Sequence, residues 1–321
     1  MKLFEPNNLS RRRPEFTPYA QISAFVGANV SANNFKIETP SAKYFLKSRE
    51  QSAMEKTRAE AELTFALSEL GQKVPRIIRF QGELVSSFAE KCWVLYEFQE
   101  GDYFSGKGGE LEAAAEVFGE LTRAAELLFS NAVIEDAVPT GLTELLERSS
   151  IDDNHRTKIL ESLNEVEKHR ELLNRRVLPV HLDYHPLNLL MMDERVVCVV
   201  DLEHLKLYSV VVGLGFAAFK LIRQAMVDEE FRERELRERS AVSTWLRGWA
   251  KSFPNDGYTG AELGLGAKAR ILKLIHLILD ASLNKGDERF SYDLEKQIVS
   301  LYEVEVVFDR ITGFSRLQDD Y

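Results

Sequence analysis

Between Leu178 and His204 the chain reads LPVHLDYHPLNLLMMDERVVCVVDLEH. This stretch holds a carboxylate, Asp183, an amide five residues on, Asn188, and a second carboxylate thirteen further, Asp201. His181 and His185 flank the first carboxylate. Leu178-Pro179-Val180 leads in, Leu189 to Met192 leads out, and Val196 to Val200 reaches Asp201. Asp193-Glu194-Arg195 between the last two apolar runs reads as a hairpin turn. Asn188 and Asp201 therefore fall at adjacent strand ends, where two oxygen donors can meet one ion, and oxygen donors suit a hard cation such as Mg²⁺. An ordinary polar loop also contains an Asp and an Asn; the whole string, with apolar flanks and Asp201 in register, is much rarer.

The same residues resemble the H-G-D-x-H-P-x-N loop of the aminoglycoside phosphotransferase, choline kinase and homoserine kinase superfamily. They also share the spacing of the protein-kinase loop H-R-D-x-x-x-x-N. The protein-kinase form is departed from at Leu182, where it has Arg, and at Asp201-Leu202-Glu203, where it has Asp-Phe-Gly. The resemblance implies an α+β, bilobal, protein-kinase-like fold. A small antiparallel-sheet N-lobe, residues 1–100, would bind nucleotide, and a large, mainly helical C-lobe, residues 101–321, would carry catalysis and the acceptor. It implies transfer of the γ-phosphate of ATP, with Mg²⁺, to a hydroxyl of a small molecule. Such a reaction needs positioning and charge neutralisation more than covalent help. Asp183 would orient the hydroxyl and take its proton late, Asn188 and Asp201 would hold Mg²⁺, and His181 would brace the loop.

A fold of this kind needs a strand lysine, a partnering helix glutamate and a hinge upstream. Residues 34–47 read as a hairpin, with Phe35 and Ile37 alternating with polar residues, a turn at Pro40-Ser41, and Lys47 closing the run Tyr44-Phe45-Leu46. Lys47 is the candidate to bridge the α- and β-phosphates; a strand-end lysine that only reaches water is the plainer alternative. Residues 52–70 read as a helix ended by Gly71 and Pro75, with an apolar stripe of Leu63, Ala66, Leu67 and Leu70. Glu60 lies on the edge of that stripe and is the expected partner of Lys47, with Glu62 as the alternative. Trp93 to Glu97 reads as a strand entering a hinge that ends at Gly101. The resemblance places the adenine edge against backbone groups of Glu97 and Phe98. Between Phe25 and Phe35 there is one glycine, Gly27, so no Gly-x-Gly-x-x-Gly loop exists. Ser31 and Asn33 are the candidate phosphate contacts there.

Downstream the pattern is helical over about 110–131, 152–175, 213–228, 229–253, 261–283 and 292–312, with Ala113, Val117, Leu121, Ala124 and Leu128 as the apolar stripe of the first. Tyr184, Tyr208, Trp245, Trp249, Phe253 and Tyr258 fall near the expected acceptor side. They read as core or, less often, as an aromatic box for a quaternary ammonium. The tail Gln318 to Tyr321 could reach an amino-bearing substrate, a frayed terminus being the plainer reading. Leu182 and Leu187 stand where the superfamily commonly has glycine, and Val212-Gly213-Leu214-Gly215 stands where relatives often carry an Asp.

At 321 residues and a net charge of −10, the chain is long enough for two cores and too acidic for general nucleic-acid binding. No apolar run approaches the roughly 20 residues a membrane span needs. MKLFEPNNLSRRRPEF has no apolar core after its charges, so a cytoplasmic location is expected. Cys92 and Cys198 sit in apolar runs and read as buried thiols. The expected acceptors are a choline-like amino alcohol, a sugar or a homoserine-like molecule. An aminoglycoside kinase and a nucleotide-binding pseudokinase are the alternatives. Oligomeric state is not legible.

Overall fold

The computed structural model describes residues 21–24, 33–129, 135–238, 240–287 and 291–312. By their contacts the described residues form two compact units. The first runs to Asp102 and takes in Val197–Glu203; the second comprises Tyr103–Val196 and the chain from His204 onward. The antiparallel sheet lies in the first unit and most of the helix in the second, the secondary-structure content of a protein-kinase-like fold.

The first unit is built on five antiparallel strands: β1 (Gln21–Ala24), β2 (Asn34–Glu38), β3 (Lys43–Glu50), β4 (Ser86–Phe88) and β5 (Lys91–Glu97), in the order β1-β2-β3-β5-β4. Alternate side chains of a strand face opposite ways. Leu46 faces Ile37, Trp93 and Leu95. Phe45 faces the other layer, with Cys92, Val94 and Tyr96. Lys47 and Arg49 follow Phe45 at steps of two and share that face. Helix α1 (Met54–Glu69) covers it through Ala61.

The buried stripe of α1 is Thr57, Ala61, Thr64 and Leu67, not the stripe expected from the sequence: Leu70 is exposed, and Leu63 and Ala66 are only half-buried. Two threonines mislead the pattern. Thr57 and Thr64 donate their hydroxyls to the carbonyls of Ala53 and Glu60, each at 2.8 Å, and so satisfy their polar atoms within the helix. The true stripe brings Glu60 further in, to 8% side-chain exposure.

In the second unit, after the short strand β6 (Asp102–Tyr103), come α2 (Glu110–Glu126), α3 (Leu142–Arg148), α4 (Asp153–Lys168), α5 (Arg170–Asn174), β7 (Val177–His181), β8 (Leu189–Met192), β9 (Arg195–Val199) and β10 (Leu205–Ser209). Helices α6 (Val210–Ala225), α7 (Glu229–Glu238), α8 (Ala241–Ser252), α9 (Gly260–Lys285) and α10 (Ser291–Thr312) complete it. Strand β10 pairs antiparallel with β7. Two expected helices are each split in two. The first breaks at His169. The second breaks after Glu238, where Glu235 accepts hydrogen bonds from the N–H groups of Ser240 and Ala241 and starts α8 afresh. Of the stripe expected on α2, Val117, Leu121 and Ala124 are buried, with Leu111, Ala114, Phe118 and Ala125 beside them; Ala113 is only half-buried and Leu128, past the end of the helix, is exposed.

The expected carboxylate near the start of α6 is replaced by close packing. Ser209 caps the helix, accepting from Val212 N at 3.3 Å and donating to the Leu173 carbonyl. A Cβ on Gly213 would lie 2.7 Å from Val180 Cβ, and one on Gly215 would lie 2.2 Å from the carbonyl oxygen of Leu263 on α9. Gly215→Ala is expected to force α6 and α9 apart at a cost of about 1–3 kcal/mol. Thermal denaturation reads this as a drop of several degrees; an unchanged midpoint would show that the two helices can slide freely. Among the described residues no single helix is long and apolar enough to cross a membrane.

Candidate active site

In the first unit Lys47 reaches two carboxylates: its Nζ lies 3.0 Å from Asp201 Oδ1 and 3.8 Å from Glu60 Oε1. Glu60, not Glu62, is therefore the helix partner. The sequence did not single out its neighbour Arg49. Arg49 Nη1 lies 2.5 Å from Glu60 Oε2, and Nη2 lies 3.2 Å from Glu203 Oε2. Lys56 Nζ adds a second contact to Glu203 at 3.0 Å. Three cations and three carboxylates thus alternate in one network. Burial opposes the charged forms of both Arg49 and Glu203, yet the opposite charges win. Arg49 is held above its ordinary value by Glu60 and Glu203, and Glu203 below its own by Lys56 and Arg49. Burial, together with the nearby Glu60, raises the Tyr96 phenol.

Asp201 sits at φ +62, a left-handed conformation uncommon outside glycine and tolerated best by Asp and Asn. Val199 N donates to the Lys73 carbonyl at 2.7 Å, which fixes the strand leading to it.

At the end of β5 the N–H groups of Glu97 and Phe98 are both used inside the unit, donating to Arg76 O at 2.8 Å and Lys43 O at 3.1 Å. An adenine edge at these two residues would meet their carbonyls. Asn33 accepts from Lys91 Nζ through Oδ1 at 3.0 Å, so its side chain is engaged in holding β5. Ser31 and the tail Gln318–Tyr321 lie outside the described residues.

In the second unit the turn after β7 is tied together by its own side chains. His181 is buried, and its Nδ1 accepts from Asp183 N at 3.2 Å; it braces the loop from below. His185 Nδ1 accepts from Leu187 N at 3.2 Å, which leaves the ring proton on Nε2, 3.4 Å from Asp183 Oδ2. Burial works against the Asp183 carboxylate, but the hydrogen bond and charge of His185, helped by His204 and His181, hold its pKa down at about 2. Asn188 is buried and donates Nδ2 to Asp183 O at 2.9 Å, so Oδ1 is the atom that could take a ligand. Arg270 donates Nε to Leu182 O at 3.2 Å, and Leu182 N donates to His204 O at 3.0 Å. Leu182 is buried and Leu187 exposed, so the first of the two glycine replacements packs inward.

The aromatic box is not formed. Tyr184, Trp245 and Trp249 are fully buried, Tyr208 nearly so, and Phe253 and Tyr258 are inside as well. Tyr184 donates to Ala114 O at 2.8 Å and packs edge-on against Phe118, 5.0 Å away. These rings anchor the loop to the helical core. Cys92 and Cys198 are free and buried, and burial pushes the Cys198 thiol up to about 12.

The His185 contact carries a pH signature. A carboxylate held below its ordinary value stabilises the fold above the unfolded value, near 4, and the effect is lost as pH falls toward 2. His185→Ala is therefore expected to lower the melting temperature at pH 7, with a deficit that shrinks below pH 5. A deficit independent of pH would show that His185 only fills space.

A model of the phosphotransferase enzyme family matches residues 24–251. The chain belongs to that family. A comparison with curated proteins gives no match. Solved structures with the same fold include an amicoumacin kinase in complex with AMP-PNP, Ca²⁺ and Ami, 15% identical, covering 92% of this chain and 96% of that one, with a TM-score of 0.61. A spectinomycin phosphotransferase bound to ADP and spectinomycin is 14% identical, with 94% and 96% covered and a TM-score of 0.61. A microcompartment-associated aminopropanol kinase is 15% identical, with 95% and 96% covered and a TM-score of 0.58. As a family member the chain is a phosphotransferase.

Proposed function

We propose that this protein transfers the γ-phosphate of ATP to a hydroxyl of a small metabolite, with Mg²⁺. The observation that carries the reading is the ordered Asp183 loop. Its carboxylate is fixed by His185 Nε2 at 3.4 Å, and the Asn188 amide is turned by its 2.9 Å bond so that an oxygen remains for a ligand.

Lys47, held between Glu60 and Asp201, would bind the α- and β-phosphates. Asp183 would accept the acceptor's hydroxyl hydrogen bond and orient its oxygen in line. A pKa of about 2 makes Asp183 a weak base, which suits a transition state in which the proton leaves late and the phosphoryl group is nearly free. Asn188 and Asp201 each offer an oxygen of the kind a hard divalent cation takes; they would hold Mg²⁺, which would supply charge neutralisation on the transferring phosphate. His181 braces rather than reacts, Glu97 and Phe98 would offer carbonyls to adenine, and Ser31 and Asn33 remain candidates at the phosphates. A cytoplasmic location fits the use of ATP.

The intact set of Lys47, Glu60, Asp183, Asn188 and Asp201 favours an active enzyme over a pseudokinase. ADP release with ATP and Mg²⁺, measured across alcohols, sugars, amino alcohols, hydroxy acids and aminoglycosides, is expected to depend on one acceptor class. ADP release at the same rate with and without every acceptor, or none despite bound ATP, would contradict the reading.

A further inference from the structure

Lys220 lies on α6, near the Asp183 loop, and has no counter-ion among the described residues. Helix α6 packs against β7 and the Pro186–Asn188 turn. The ammonium of Lys220 lies over the faces of Phe216 at 5.0 Å and Phe219 at 5.7 Å, two fully buried rings. Arg270, which holds the Leu182 carbonyl next to Asp183, shares the Phe216 ring, its Cζ 5.9 Å from the centroid. Arg223 lies over Phe219 at 5.3 Å. Three cations therefore crowd two rings.

The charges that act on Lys220 are Arg223, Asp183, Lys296 and Glu303. All are paired elsewhere. Arg223 binds Glu303 at 2.5 Å, Asp183 faces His185 at 3.4 Å, and Lys296 faces Asp293 at 3.9 Å. Lys220 makes no hydrogen bond or ion pair among the described residues. Burial, and then the Arg223 charge, lower its pKa to about 8. Lys220 is half-buried; withdrawing an ammonium from water, even in part, is costly unless something compensates it, and a cation–π contact returns only about 0.5–2 kcal/mol. An unpaired, perturbed cation on the helix that packs against the Pro186–Asn188 turn is a candidate ligand site.

We infer that Lys220 recognises an anionic group on the acceptor, so that the substrate is an alcohol bearing a carboxylate or a phosphate. This rests on the phosphotransferase reading and narrows its acceptor. A lysine at this place repels the cationic amino alcohols and aminoglycosides that the net charge of −10 would by itself attract.

The test has two arms on the full chain. In the first, a lysine-acylating reagent is applied with and without inorganic phosphate, and the labelling of Lys220 is read by peptide mass mapping. Severalfold protection by phosphate, absent with sodium chloride of equal ionic strength, supports an anion site whether or not transfer is seen. Equal labelling overturns it. In the second, ATP-dependent phosphorylation of glycerate, glycerol phosphate, glycerol and aminopropanediol is compared in wild type and Lys220→Gln. The inference expects one of the two anionic alcohols to lead, and which of them leads separates carboxylate from phosphate. It expects Lys220→Gln to raise KM for that alcohol about tenfold or more, with kcat nearly unchanged and glycerol unaffected. A lead by aminopropanediol, or an equal loss for all acceptors, would overturn it. Transfer to none of them, with phosphate still protecting Lys220, would count against the phosphotransferase reading and not against the anion site.

Discussion

Asp183→Asn is expected to lose about 10²–10⁴-fold in turnover while binding ATP as tightly as wild type. The substitution keeps the shape of the side chain and leaves the backbone ties of the loop in place. Asp183 N still donates to His181 Nδ1, and Asp183 O still accepts from Asn188 Nδ2. What disappears is the acceptor for the hydroxyl proton and the charge that faces His185 at 3.4 Å. The loss should fall on kcat and kcat/KM alike, the pattern of an interaction made only in the transition state. Steady-state kinetics beside nucleotide titration reads both quantities. Turnover equal to wild type would remove Asp183 from the mechanism, and lost ATP binding would mean that the loop itself had collapsed.

Asp201→Asn should be nearly as severe, for a different reason. Asp201 is the carboxylate that Lys47 approaches most closely, 3.0 Å against 3.8 Å for Glu60. Asparagine accepts the φ of +62 without new strain, so the backbone should hold. The lost negative charge should raise the Mg²⁺ concentration needed for half-maximal rate and lower kcat by about 10²–10³-fold, as removal of one group aimed at transition-state charge does. Asp201→Val should instead unfold the segment in part, because a β-branched residue resists that conformation. If Asp201→Asn kept both the wild-type rate and the wild-type Mg²⁺ requirement, Asp201 would be a structural partner of Lys47 and nothing more.

The Asp183 loop was legible because its polar groups lie close together in sequence and between apolar strands. Lys47 and Glu60 were legible only with the resemblance, which requires a strand lysine and a helix glutamate; the strand period alone favours a lysine that reaches water. The Arg49–Glu203 pair was not, because its members lie 154 residues apart, although the period of two already put Arg49 on the same face as Lys47. The α1 stripe misled because Thr57 and Thr64 hide their hydroxyls in the helix. The break after Glu238 was hidden because the residue that makes it, Glu235, reads as one more charge on a solvated face. His185 was in the motif, but its hold on Asp183 depends on which ring nitrogen carries the proton, and only the Leu187 N–H settles that. Lys220 gave no signal at all, since a lone lysine in an apolar helix reads as a surface residue.

Phosphoryl transfer is read by following the γ-phosphate itself. Wild-type protein, ATP labelled at the γ-position, Mg²⁺ and a mixture of small hydroxylated metabolites are incubated together, and the labelled products are separated. The label is expected to move from ATP into a phosphate ester of one acceptor class, and Asp183→Asn to slow that transfer by about 10²–10⁴-fold. Label found only in inorganic phosphate, at equal rates in both proteins, would contradict it.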